Sequence, residues 1–456
     1  MTQTSINPAT GVCVGEYPSH SDEQIRASVA AAKAAFENWR GMSFKDRAEP
    51  LRGAAELLED AAERFGVLMA EEMGKPVGEG QAEARKSAWV CRYYADNGAG
   101  FLAPEPVETE AARSFVAFRP LGPILAVMPW NFPFWQVFRA AAPALMAGNT
   151  MLLKHAANVP GCALAIEQIF TAAGLPAGVF QSLLIRSNRV AELIADPAIR
   201  GVTLTGSTPA GRAVASAAGQ HLKPCVLELG GSDPYVVLED ADVAAAADVC
   251  VTSRLINSGQ SCIAAKRFIV VESVRDEFEA AVVRRMAAVT WGDPTEPGID
   301  IGPLARTDLR DSLHDQVARS VGAGARCLLG GTNPGGPGAF YPPTVLTDVR
   351  PGNPAYDEEL FGPVAAILPV ADDEVAVATA NDSSFGLGAA VFTADSARGE
   401  RIATDRLEAG CCFVNDFVRS DPRLPFGGIK DSGFGRELSR FGIREFVNVK
   451  TVVVAG

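Results

Sequence analysis

Three polar residues, far apart in the chain, carry the groups that covalent acyl chemistry needs. The stretch Asn257-Ser258-Gly259-Gln260-Ser261-Cys262 puts one cysteine behind small polar residues, between a helix-like run and the β-like run 268–271. A thiol on a loop held by a rigid scaffold can act as a nucleophile. Upstream, Glu228 leaves a strand-like run directly before Gly230-Gly231, where a carboxylate can act as a base. Further upstream, Asn131 lies in Pro129-Trp130-Asn131-Phe132-Pro133, a rigid setting that can aim its amide at developing negative charge. Each has a plainer reading: a buried thiol, a solvated strand end and a turn asparagine. Their combination raises the chemical reading above those.

A fourth stretch, Val202 to Gly211, ends a strand at Gly206 and continues through Ser207, Thr208 and Pro209. Thr208 is expected to cap a helix with Pro209 in its first position. The exposed N–H groups and dipole of such a helix start suit a pyrophosphate, although a simple turn reads the same way. A G-x-G-x-x-A match at 98–103 follows a helix-like stretch rather than a strand, so it is set aside as a phosphate loop.

The elements that must hold these residues follow from periodicity. Residues 21–97 read as helices, with a capping box from Ser21 to Gln24, a second start near Ser43 and a stop at Gly74. From about 113, strands at 124–128, 150–153, 179–185, 202–205, 226–229 and 235–238 alternate with helices at 160–173, 188–195 and 209–218. That alternation predicts an α/β fold with a doubly wound, mostly parallel sheet. A second α/β pattern follows, with a helix at 243–256, a strand at 267–271, a helix at 275–289 and further elements at 363–370 and 375–380. The expected division is a Rossmann-type cofactor-binding domain over 1–103 and 120–230, a catalytic α/β domain over 231–430, and a small β oligomerisation element over 104–119 and 437–456. The last two segments read as edges that pair with another subunit, which predicts a homodimer or homotetramer.

Bulk properties narrow the classes. The 456 residues exceed one core and suit about three units. A net charge of −13 argues against nucleic acid and anionic membrane as partners. No apolar run reaches spanning length and no signal-like start is present, which predicts a cytoplasmic protein. Nine scattered cysteines without C-x-x-C, and four histidines without H-x-x-x-H, point to neither a disulfide framework nor a metal site. Adjacent Cys411 and Cys412 read as packed thiols, with redox sensitivity as the alternative.

The joint order of P-W-N-F-P at 129–133, L-L-K at 152–154, T-G-S-T at 205–208, L-E-L-G-G at 227–231, G-Q-S-C at 259–262, E-E-L-F-G-P-V at 358–364 and P-F-G-G-I-K-D-S-G-F-G-R-E at 425–437 resembles the aldehyde dehydrogenase superfamily over nearly the whole chain. Within it, K-H-A at 154–156 and G-R-E-L-S at 435–439 are similar to bacterial succinate-semialdehyde dehydrogenases. The resemblance implies oxidation of an aldehyde to an acid through a cysteine thiohemiacetal and thioester. In that scheme Cys262 attacks, Asn131 and the Cys262 N–H hold the oxyanion, and Glu228 activates water.

The resemblance also implies a cofactor set of Trp130, Lys154, Ala157, Ser187, Gly206, Ser207, Gly211, Leu229, Glu359 and Phe361, with Lys154 near the adenosine ribose and Glu359 near the nicotinamide ribose. NAD-preferring members carry a glutamate three residues after that lysine, where this chain has Ala157. Without its repulsion a 2′-phosphate is accepted, which predicts NADP as the preferred cofactor and NAD as a second. Arg186 and His155 are candidate helpers. The expected substrate set is Arg139, Trp135, Ser261, Ser420 and Phe426, with Phe134 also walling the pocket. Arg139 would grip a substrate carboxylate, although it could instead be a structural helix residue. The family's other frequent arginine is replaced by Ile256, which leaves glutarate semialdehyde, aliphatic and aromatic aldehydes as alternatives to succinate semialdehyde. From a different class, a cysteine hydrolase or acyltransferase would use Cys262 with His221. A CoA-acylating relative or a catalytically silent one complete the rivals.

Overall fold

The computed structural model describes residues 2–456, in which short apolar runs become the strands of two twisted sheets. In the first sheet the order is Gly433–Phe434, Cys225–Glu228, Gly201–Thr205, Pro123–Val127, Thr150–Lys154, Phe180–Ser182. All neighbours are parallel except Gly433–Phe434, which runs antiparallel to Cys225–Glu228. The chain leaves Pro123–Val127 in one direction and returns on its other side at Gly201–Thr205. This is the doubly wound switch point, and the crevice beyond the carboxyl ends of such strands is where ligands bind. Helices Trp135–Ala147, Pro160–Ala172 and Thr208–Gln220 cover this sheet. The strands Gly201–Thr205 and Thr150–Lys154 are buried at every position, as expected for a sheet with both faces covered.

The second sheet has the order Arg326–Leu329, Thr344–Thr347, Val364–Val370, Arg267–Val271, Pro234–Val237, Gly388–Phe392, Cys411–Val414. Only its first pair is antiparallel. The strand expected at 235–238 thus belongs here and not to the first sheet. The helix Thr307–Gly322 and the strands between residues 385 and 434 were not foreseen, nor was an antiparallel hairpin of Thr2–Ile6 and Cys13–Pro18.

The helical region agrees closely with its signals. Ser21 and Gln24 form the reciprocal capping box of Asp22–Trp39, Ser43 caps Phe44–Asp60, and Gly74 ends Ala62–Met73 at φ 82°. Gly98 and Gly100 lie inside the helix Val77–Phe101, which confirms that their motif is no phosphate loop. The segments at 104–119 and 437–456 do not wait for another subunit. Val447–Val454 pairs with Arg113–Pro120, which pairs with Glu105–Val107, in one three-stranded antiparallel sheet. Its outer strand still exposes Val449, Val453 and Val454.

Cys411 and Cys412, adjacent on a strand, point to opposite faces and pack into different clusters. Burial pushes both thiols up, to about 12 and about 11, which makes them poor redox groups.

Gly433 holds the short strand against the strand that ends at Glu228. Its φ is 113°, and a Cβ there would lie 2.0 Å from the Leu227 carbonyl oxygen. Gly433→Ala is expected to cost about 2–3 kcal/mol and to lower the melting temperature by several degrees in a calorimetric scan; an unchanged transition would show that the short strand contributes nothing.

Candidate active site

The loop that carries the cysteine has an uncommon backbone. After the helix Val243–Leu255, Asn257 (φ 56°), Ser258 (φ 56°) and Gly259 (φ 77°) are all left-handed. A non-glycine residue in that region costs about 1–3 kcal/mol, so neighbours must hold it. The Asn257 N–H donates to both carboxylate oxygens of Glu79 (3.2 and 3.1 Å). Arg254 Nη2 donates to the Gly259 carbonyl (2.5 Å). Ser258 Oγ and Gln260 Oε1 accept from the N–H groups of Gly302 (3.0 Å) and Ala305 (2.8 Å). Lys266 Nζ donates to the carbonyls of Ser261 (3.0 Å), Cys262 (2.8 Å) and Ala264 (3.2 Å). Gly259 is obligatory, because a Cβ would meet the Gly362 carbonyl oxygen at 2.2 Å.

Asn131 is fastened to that loop. Its Nδ2 donates to the Gln260 carbonyl (3.1 Å), and its own carbonyl accepts from Asn257 Nδ2 (2.7 Å). The second Nδ2 hydrogen stays available for an oxyanion. Glu83, on the helix Val77–Phe101, fixes the same segment from below. Its Oε1 accepts the N–H groups of Phe134 (2.8 Å) and Trp135 (3.0 Å), and its Oε2 pairs with Lys75.

Glu228 ends its strand in the interior, and neither carboxylate oxygen has a hydrogen-bond partner. Burial pushes its pKa up to about 8, against the pull of Arg139 and with a further push from Glu437. Burial likewise pushes the Cys262 thiol up to about 12, with Arg139 and Lys266 pulling the other way and Glu228 among the groups that raise it. At rest burial therefore favours the protonated thiol at Cys262. Glu228 is near enough to act on Cys262 through its charge, which brings the expected base toward the expected nucleophile.

A cavity of about 340 Å³ opens onto Cys262. All five residues expected to contact substrate border it: Arg139, Trp135, Ser261, Ser420 and Phe426. Arg139 is nonetheless committed within the protein. It pairs with Glu437, donates to Thr205 Oγ1 (3.4 Å), and stacks over the Phe426 ring at 4.8 Å. Phe134 does not wall the cavity. It is fully buried against Phe65 and Phe138, because its position just before a buried helix turns it into the core, and Phe132 takes the wall instead. Lys86 and Glu79 also border it. The sequence reading passed over them because their helix read as scaffold.

On the sheet crevice, Trp130, Lys154, Gly206 and Leu229 each lie at or just beyond a strand's carboxyl end. The helix that follows Gly206 starts at Thr208, so Ser207 and not Thr208 occupies the cap position, one residue earlier than expected. Ser207 makes no side-chain cap bond, which leaves the first N–H groups open to an anion. Gly211 lets the helix sit on Leu229, whose side chain a Cβ would strike at 2.5 Å. Lys154 makes no ion pair among the described residues. Ala157 and Ser187 are exposed and bring no carboxylate. His155 does not help there: its ring faces the Pro133 carbonyl (2.9 Å), and burial pulls its pKa down to about 4. Glu359 turns inward, accepting from the Gly231 N–H (3.1 Å) beside Lys266 (3.6 Å). Phe361 packs edge-on against Trp130 at 5.8 Å. Open N–H groups, an unpaired lysine and a glycine approach suit a dinucleotide pyrophosphate.

The hydrolase rival loses its base. His221 caps the helix Thr208–Gln220 and lines a separate cleft with Leu222, Lys223 and Glu445. No histidine borders the Cys262 cavity.

The aldehyde dehydrogenase family profile matches residues 1–452. The chain belongs to the aldehyde dehydrogenase family. It is 52% identical over 455 residues to a probable succinate-semialdehyde dehydrogenase [NADP(+)] of Synechocystis, with all of both chains covered. It is 48% identical to the succinate semialdehyde dehydrogenase [NAD(P)+] Sad of Escherichia coli, covering 98% of this chain and 97% of that one. Among solved structures, a Streptococcus pyogenes succinic semialdehyde dehydrogenase in complex with NADP+ superposes with a TM-score of 0.97 at 36% identity, with both chains fully covered. This aldehyde dehydrogenase has the family's mixed α/β architecture throughout.

The high Glu228 pKa has a readable consequence. A base works only as the carboxylate, so kcat of the aldehyde dehydrogenase should climb as pH rises and level off above about 8. Stability runs the other way. The folded state holds the proton longer than the unfolded state, so Glu228 costs stability as pH rises from about 4.5 to about 8. The melting temperature of Glu228→Gln should therefore gain on the wild type by several degrees across that interval; a constant gap would contradict the raised pKa.

Proposed function

We propose that this aldehyde dehydrogenase oxidises succinate semialdehyde to succinate, with NADP preferred and NAD accepted. The observation that carries the reading is the cavity itself: Cys262 and the cationic and hydroxyl groups of Arg139, Lys86 and Ser420 all border it. A short aldehyde with a carboxylate at its far end matches that combination. The names of the relatives at about half identity support the same substrate and cofactor.

In this reading the Cys262 thiol gives up its proton to solvent and Sγ forms a bond to the aldehyde carbon, while the Asn131 amide and the Cys262 N–H stabilise the oxyanion. A nicotinamide held at the crevice would supply the hydride acceptor for this oxidation. Glu228 then removes a proton from water, which attacks the thioester and releases the acid with the thiol restored. The unpaired Lys154, the open N–H groups after Ser207 and the absence of an acid at Ala157 support binding of a 2′-phosphorylated dinucleotide at the crevice. Trp130, Gly206, Gly211, Leu229, Ser187, Glu359 and Phe361 complete that site, and Ser261, Trp135 and Phe426 shape the aldehyde end. We read the first sheet with its helices as the cofactor unit and the second as the catalytic unit. The three-stranded sheet, with its exposed valine edge, joins subunits as a dimer or tetramer. The cytoplasm suits nine cysteines that all remain thiols.

Cys262→Ala should abolish both aldehyde oxidation and any ester hydrolysis. Glu228→Gln should give a burst of reduced cofactor and then stall; full steady turnover in that variant would remove Glu228 from the base role. A panel of succinate semialdehyde, glutarate semialdehyde, and aliphatic and aromatic aldehydes with each cofactor tests the specificity. kcat/KM is expected to be highest for succinate semialdehyde with NADP. Ala157→Glu should raise KM for NADP by about tenfold or more through like-charge repulsion, with little effect on NAD. A wild type much more efficient with NAD would refute the cofactor assignment.

A further inference from the structure

The helix Val77–Phe101 carries Glu79, Glu83 and Lys86 four and three residues apart, on one face. All three border the Cys262 cavity. The two glutamates are occupied by the backbone: Glu79 by Asn257, and Glu83 by Phe134 and Trp135 together with Lys75. Lys86 has no such commitment. Its Nζ donates to Ser420 Oγ (2.9 Å) and lies over the Trp135 ring at 4.4 Å. Among the described residues it forms no ion pair.

The other cations of the cavity are already neutralised. Arg139 pairs with Glu437, and Arg419 pairs with Asp416 at 2.7 Å. Nearby Asp421 is taken by Arg423. An ammonium has three donors and Ser420 uses one. The surroundings disfavour its charge: burial, then Arg139, pull its pKa down to about 8, with Glu83 and Asp421 opposing and Arg419 adding to the fall. A partly desolvated cation with two open donors, facing a cavity, lacks an anion.

We propose that Lys86, assisted by Ser420, binds the far carboxylate of the substrate and thereby selects ω-oxo acids over neutral aldehydes. The proposal rests on the acid-semialdehyde reading above. It assigns the direct contact to Lys86 and leaves Arg139, held by Glu437, to shape the field and wall of the cavity. Trp135 holds the ammonium over its ring face at the cavity wall.

The test is steady-state kinetics of the full-length enzyme at saturating NADP. Succinate semialdehyde is compared with butanal, which has the same chain length and no acid. The readout is the ratio of kcat/KM for the two aldehydes in the wild type, Lys86→Met, Lys86→Arg and Ser420→Ala. Lys86→Met is expected to lower that ratio by about 30-fold, chiefly through KM for the semialdehyde, as loss of a charge-assisted bond does. Lys86→Arg should restore most of it, and Ser420→Ala should lower it by about fivefold. A purely structural lysine would depress both aldehydes together and leave the ratio unchanged, and that result overturns the proposal. Should Lys86→Met not fold, an unchanged ratio in both Lys86→Arg and Ser420→Ala overturns it. A wild type that shows no preference for the semialdehyde over butanal refutes the acid-semialdehyde reading itself, and the proposal with it.

Discussion

Three successive left-handed residues, 257–259, turn the chain from a buried helix onto the reactive cysteine, and the local sequence alone would not keep them there. Glu79, Arg254, Lys266 and the pair Asn131–Asn257 hold that turn from four directions. The loop is thus the point at which the amino-terminal helices, the first sheet and the second sheet meet. The same bonds that stabilise the turn also fasten the Asn131 amide to the loop that carries Cys262. Position and chemistry are decided by one network, so the site is preorganised before any substrate enters.

Burial sets the chemistry of the groups that this network brings together. A carboxylate with no hydrogen-bond partner and a thiol with a cation on either side are both kept largely protonated at rest. Neither is a strong nucleophile or base in isolation. Only the ionised fraction of Glu228 can accept a proton, so that capacity grows as pH rises toward about 8. The buried Arg139–Glu437 pair moderates this by placing a compensated charge beside both. A bare arginine there would lower both pKa values further.

The doubly wound sheet has a simpler task. It gathers the carboxyl ends of four strands, at Val127, Lys154, Thr205 and Glu228, along one edge. The segment from Pro129 to Pro133, the unpaired lysine, the open helix start and Glu228 therefore share a crevice despite their separation in sequence. The short antiparallel strand Gly433–Phe434 closes that edge and carries Glu437 back toward Arg139.

Local features of the sequence determined much of this. Strand runs, caps, the Gly74 stop and the motif residues Asn131, Glu228 and Cys262 were legible because hydrophobic period, cap chemistry and residue type are properties of neighbours in the chain. What the tertiary structure alone decided lies between elements. It turned Phe134 into the core and Phe132 to the cavity, and it sent His221 to another cleft. It also paired the β segment at 113–120 with the one at 447–454. It bound Arg139 to Glu437, and it gave a helix that reads as scaffold the roles of bracing two loops and facing Lys86 to Ser420, 334 residues away. Periodicity reports which face of a helix is apolar; the partner of a charged side chain is set by the packing of distant segments, which no local pattern encodes.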